Sequence, residues 1–156
     1  MYRTVADFIE EWSASAAGTL SVFQAISDDK MDVAIAEGHN SLGWLAWHLV
    51  GSAGVFGQLS GLDVPGLGKG TPVPASMTEV IAKYNEVIAA YSEAVKSLTD
   101  EQLLEEINGF GNPLPRGKFL RIMVDHQTHH RGQVTVLLRQ AGLPVPGVMG
   151  PTKEMQ

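Results

Sequence analysis

Apolar residues recur along this chain at steps of three and four, the interval of a helix that buries one face. In the first predicted helix Val5, Phe8, Ile9, Trp12, Ala16, Leu20, Phe23 and Ile26 keep that interval until Ser27-Asp28-Asp29 ends it. Thr4 can cap its start, with Asp7 three residues on. A second helix is expected from Leu42 to about Leu59 with Ser41 as its cap, and its inner stripe reads Leu42, Leu45, Leu49, Ser52, Phe56, Leu59. A third opens at the capping box Ser76-Met77-Thr78-Glu79 and carries Val80, Tyr84, Val87, Tyr91, Ala94 and Leu98 to about Ser97. Another box, Thr99-Asp100-Glu101-Gln102, starts a short helix ending near Ile107. The fourth long helix follows Pro115 and runs to about Ala141, where Gly142 can take a left-handed stop and Pro144 prevents continuation.

No stretch alternates with period two, so no strand is expected. The connection from Ser60 to Ala75 holds Gly61, Pro65, Gly66, Gly68, Gly70, Pro72 and Pro74, which regular structure does not tolerate. Gly66-Leu67-Gly68-Lys69-Gly70-Thr71 has the look of a phosphate cradle, but Gly70 follows the lysine and no strand precedes it. A crossover between helices is the better reading, and a loop of this length is expected to line or gate a site. The fold class is therefore all-α: one domain over residues 1–156, a four-helix bundle with a long crossover between helices 2 and 3.

The fourth helix carries the candidate chemistry. Phe119, Met123, His126, His130, Gln133 and Leu137 fall on one face, which places two imidazoles on a stripe expected to be core. A buried polar ring without a partner costs about 1–3 kcal/mol, so two rings one turn apart call for something to bind. His48, on the second helix, can complete a facial set of three if the two helices are neighbours. Three neutral imidazoles with open positions make a catalytic type of metal site; they suit zinc, nickel, iron or copper without choosing among them. His129 also stands near His126, but the seam points His130 inward and leaves His129 at its flank. Gln133 could orient His130 or instead bond a neighbouring helix, and Asp125 points about 100° away from His126. His126-Gln127-Thr128-His129-His130 has the spacing of the zinc-protease helix, yet Gln127 stands where that chemistry needs a carboxylate base.

Composition narrows this further. There are no cysteines, so any transition metal must be held by imidazole, carboxylate or water. The start of the chain lacks the apolar run of a secretory signal and no window is long enough to span a membrane; a cytoplasmic protein is the default expectation. A net charge of −6 argues against a nucleic-acid partner. From Arg116 onward, however, basic residues outnumber acidic ones. The simplest reading is of solvated faces and a positive helix end. The functional reading is that the histidine helix presents positive charge to a small anionic ligand.

Leu45-Ala46-Trp47-His48-Leu49, His126 through Gln133, and Leu138-Arg139-Gln140-Ala141-Gly142-Leu143-Pro144-Val145-Pro146 together resemble the DinB/YfiT-like superfamily. The resemblance implies a four-helix bundle with a long crossover, and a metal triad on His48, His126 and His130 that commonly takes zinc or nickel. It also implies frequent homodimers. Characterised relatives transfer or isomerise with low-molecular-weight thiols such as bacillithiol or mycothiol, so the expected activity is metal-dependent transfer of a small thiol to an electrophile. The alternatives are a metal or small-ligand binding protein without turnover, and a metal-dependent hydrolase.

Overall fold

A computed structural model describes residues 1–156. Its long helices are α1 (Val5–Gln24), α2 (Leu42–Leu59) and α3 (Met77–Ala94), followed by the short α4 (Asp100–Leu104), a hairpin of β1 (Glu106–Gly109) and β2 (Asn112–Pro115), and finally α5 (Arg116–Gln140). Local chemistry sets most of these ends. Thr4 accepts a hydrogen bond from the Asp7 amide, Ser41 from that of Trp44 and Ser76 from that of Glu79. The full reciprocal box forms only at Thr99 and Gln102. At Ser76 the Glu79 carboxylate instead takes the serine hydroxyl. α5 ends with Gly142 at φ 72, its amide on the Arg139 carbonyl and the Leu143 amide on that of Leu138.

Phe8, Phe23, Leu42, Leu49, Tyr84, Tyr91, Phe119 and Leu138 are among the fully buried side chains of one shared core. Burial of each such side chain contributes about 1.5–3 kcal/mol. α5 lies against α1 and α2, and α3 packs against the same two helices. The crossover after Leu59 forms no helix or strand. It lies close on α2, where a Cβ at Gly54 would stand 2.5 Å from the Pro65 carbonyl oxygen, so only glycine admits this approach. No helix is long and apolar enough to cross a membrane.

Three expectations require correction. The chain does contain strands: β1 and β2 pair antiparallel, Glu106 opposite Pro115 and Gly109 opposite Asn112, and α4 stops at Leu104 rather than near Ile107. Four-residue strands containing Gly and Pro are too short to display alternation, and the turn residues Phe110 and Gly111, both at positive φ, are the feature that makes the hairpin. The buried face of α2 is also wider than its expected stripe: Leu42, Leu45, Leu49 and Phe56 are buried, and so are Ala46, Val50, Ala53 and Gly57, while Ser52 is half-buried and Leu59 exposed.

Candidate metal centre

α2 and α5 run side by side and bring His48, His126 and His130 together. The Nε2 atoms of His48 and His126 lie 3.3 Å apart. The His130 ring sits 4.6 Å from that of His48 and 4.5 Å from that of His126, centre to centre. One ligand nitrogen from each ring lies within 4.8 Å of the others, and all three residues are half-buried. Two imidazole lone pairs facing at this distance repel one another unless a proton or a cation stands between them.

The rings differ in how they are held. Trp44 stacks on His48 at 4.8 Å with the planes 11° apart. His130 Nδ1 lies 2.8 Å from Gln133 Oε1, an acceptor, so the hydrogen sits on Nδ1 and the Nε2 lone pair is left free. The same amide reaches His129 Nε2 at 3.2 Å, which leaves His129 one link behind His130. Gln133 is thus an exposed orienting residue rather than part of the core stripe. His126 Nδ1 is buried without a hydrogen-bond partner. Asp125 is engaged by Arg121 at 2.8 Å on the outer face, and no carboxylate belongs to the set.

Burial, followed by the neighbouring His130, His48 and His129, pushes the His126 imidazolium down to about 4. Burial and then His130 also lower His48. Both rings are therefore neutral near pH 7, the state in which an imidazole can donate to a metal.

The residue that sequence reasoning placed least well is Gln127. It is fully buried, as is nearly all of Arg131, so the true core stripe of α5 runs through Leu120, Val124, Gln127, Arg131, Val134 and Leu138, with the histidines on its flank. Gln127 Nε2 donates to the Leu49 carbonyl on α2 at 2.9 Å. Its Oε1 accepts from the Tyr84 hydroxyl on α3 at 3.0 Å and lies 3.5 Å from the Thr19 hydroxyl on α1. One amide thereby ties all four long helices together beside His48 and His126. The expectation that the basic residues of this helix are solvated fails for Arg131.

Over His48 and His126 opens a cavity of about 670 Å³, walled by Trp44, Trp47, Phe56, Leu67 and Phe110. Gly68, Gly70, Thr71, Pro72 and Val73 bring the crossover to its rim, and Trp47 Nε1 donates to the Thr71 carbonyl at 3.3 Å. Phe110 was missed from sequence. Its backbone is left-handed at φ 52, and its ring sits 5.3 Å from Phe56 and 5.4 Å from Phe119. Apart from the two histidines, no titratable side chain lines this cavity.

Residues 1–156 match the DinB family. An uncharacterised protein of Bacillus subtilis strain 168, YrdA, is 36% identical over 155 residues, covering 99% of this chain and 93% of its own. The crystal structure of a DinB-like protein from Bacillus cereus ATCC 10987 superposes with a TM-score of 0.89 at 39% identity, over 94% of this chain and 99% of that one. A DinB-like protein from Bacillus subtilis, YjoA, shares the fold at a TM-score of 0.73 and 21% identity, over 93% of this chain and 99% of its own.

Proposed function

The chain belongs to the DinB family, and on that premise we propose that His48, His126 and His130 hold one divalent ion, zinc or nickel, in a transferase that joins a small thiol to an electrophile. The donor set fits such an ion. Nitrogens bound at about 2.0–2.1 Å to one centre lie roughly 3.0–3.4 Å from each other, and His48 and His126 already stand 3.3 Å apart. His130 is tautomerically fixed by Gln133 with its second nitrogen free. When bound, the ion would lower the pKa of a coordinated thiol and polarise it for attack.

The observation that carries the transferase reading is the cavity lining. An apolar chamber with no carboxylate, lysine or tyrosine offers no group to take a proton from water, which weighs against hydrolysis. A thiol needs no such base, because its pKa of about 8.5 already lies near neutrality. Trp44, Trp47 and Phe56 would exclude water and hold the apolar body of the electrophile. In the transfer the thiol sulfur bonds to the electrophilic carbon, the leaving group departs with the bonding pair, and the thiol proton passes to solvent.

The test incubates metal-replete protein with a small thiol and a panel of alkylating electrophiles and follows loss of free thiol. Turnover above the uncatalysed rate, abolished in His130→Ala, is the expected result. No turnover with any pair, with a tightly held small ligand recovered unchanged, would overturn the transferase reading and leave a binding protein.

A further inference from the structure

A second cavity, of about 390 Å³, lies on the opposite flank of α5, between that helix and the segment from Val145 to Thr152. One of its walls is Arg131, only 4% exposed. Its Nη1 donates to the Ser15 carbonyl at 2.9 Å, the Ser15 hydroxyl at 3.1 Å and the Thr19 hydroxyl at 3.2 Å, and its Nη2 to the Thr128 hydroxyl at 3.3 Å. Every acceptor is neutral, and none of the ion pairs in the chain includes Arg131. A guanidinium carries five N–H donors, so these bonds leave its Nε–H and one Nη2–H without a protein acceptor.

A buried cation is normally paired, because desolvation penalises an isolated charge heavily. Here it faces a cavity whose other charged residue is also an arginine, Arg139, held at the rim by Glu154 at 3.0 Å. No acidic residue lines the cavity, although the chain has 17 of them against 11 lysines and arginines. Gly132 contributes only backbone to the wall, and a Cβ built there meets nothing within 4 Å.

We propose that this cavity is a binding site for a small oxyanion, a phosphate or carboxylate group, that completes the charge of Arg131 with Arg139 at the entrance. It is separate from the histidine set and does not depend on the metal reading. Guanidinium recognises both anions through paired N–H donors, so the chemistry is shared and the measurement must choose between them.

Calorimetric titration in chloride buffer, once with inorganic phosphate and once with acetate, tests this directly. Saturable one-to-one binding of either anion is expected, and whichever binds names the ligand class. Gly132→Gln fills the cavity from an open helical position and should weaken that binding by at least about tenfold, about 1.4 kcal/mol. Arg139→Gln should weaken it less, and His130→Ala should leave it unchanged. Binding of neither anion, or undiminished affinity in Gly132→Gln, would overturn the proposal. These variants keep Arg131, so the outcome does not depend on whether its replacement folds.

Discussion

Gln127 and His126 are neighbours in sequence, yet they illustrate opposite ways of placing polar atoms inside a helical bundle. The Gln127 amide has found an acceptor on α2 and a hydroxyl donor on α3, with a second hydroxyl, on α1, at the edge of bonding distance. The imidazoles of His48 and His126 instead turn nitrogens toward each other, and His126 Nδ1 has no partner at all. A satisfied polar group specifies the packing around it, whereas a cluster of under-satisfied ones marks a candidate site for a ligand. The same helix therefore carries its structural polar residue and its chemical ones side by side, and substitutions can tell them apart.

The largest effect should come from the histidine side. His130→Ala removes one of three nitrogens, and the variant is expected to lose bound zinc or nickel while its far-ultraviolet circular dichroism stays close to the parent. Elemental analysis of protein purified without a histidine tag provides the measurement; equal metal content in variant and parent would refute the ligand assignment. Next comes the amide. Gln127→Leu leaves the Tyr84 hydroxyl without its acceptor in a dry core, which costs about 1–3 kcal/mol, and removes a further bond of about 1 kcal/mol from the Leu49 carbonyl, which keeps the Ser52 hydroxyl. A destabilisation of about 2–4 kcal/mol is expected by urea denaturation, with metal affinity weakened only as a consequence of looser α2–α5 register. If stability were unchanged, the network would hold no more than local packing.

Gln133 stands between the two classes, being exposed like a surface residue but bonded to His130 like an orienting one. Gln133→Ala should weaken metal binding about 10–100-fold, the usual effect of losing a group that fixes a ligand's tautomer. Its effect on the unfolding midpoint of the metal-free protein should be within about 0.5 kcal/mol, as for exposed substitutions generally. A competition titration with a chromogenic chelator separates the two readouts.

The same contrast explains what could be read from the chain and what could not. Long helices announce themselves through apolar spacing and through caps such as Thr4, Ser41, Ser76 and Gly142, all of which are local signals. Histidines four apart on one helix, matched by His48 on another, were legible because residue type and spacing alone suggest the set. Gln127 and Arg131 were not, since a polar residue is assigned outward unless its partners are known. Those partners, Thr19, Leu49, Tyr84 and Ser15, lie far away in sequence and meet only after the bundle has formed. Phe119, Met123 and Leu137 are buried beside the stripe of Leu120, Val124, Val134 and Leu138, so the histidine face passed for the centre of the core when it is its edge. The hairpin was hidden for a different reason, its pairing being made by a turn rather than by any periodic pattern.

The smallest expected effect is one of pH, and it too separates the amide from the imidazoles. Gln127 does not titrate, so its contribution to stability is the same at every pH. In the metal-free protein His126 is held down to about 4 and His48 is lowered in the same direction, while an unfolded histidine titrates near its ordinary value of about 6.5. Between those values the unfolded chain binds protons that the folded chain refuses, so stability is fully present above about pH 6.5 and falls as the pH drops toward about 4. Both rings are only half-buried, and solvent screening keeps the loss modest. Urea titrations of chelator-treated protein at pH 7 and pH 5 should show this decline, and His126→Asn should reduce its slope whereas Gln127→Leu should lower both curves in parallel. A decline of the same steepness in His126→Asn would mean that the ring is not what the folded state keeps neutral.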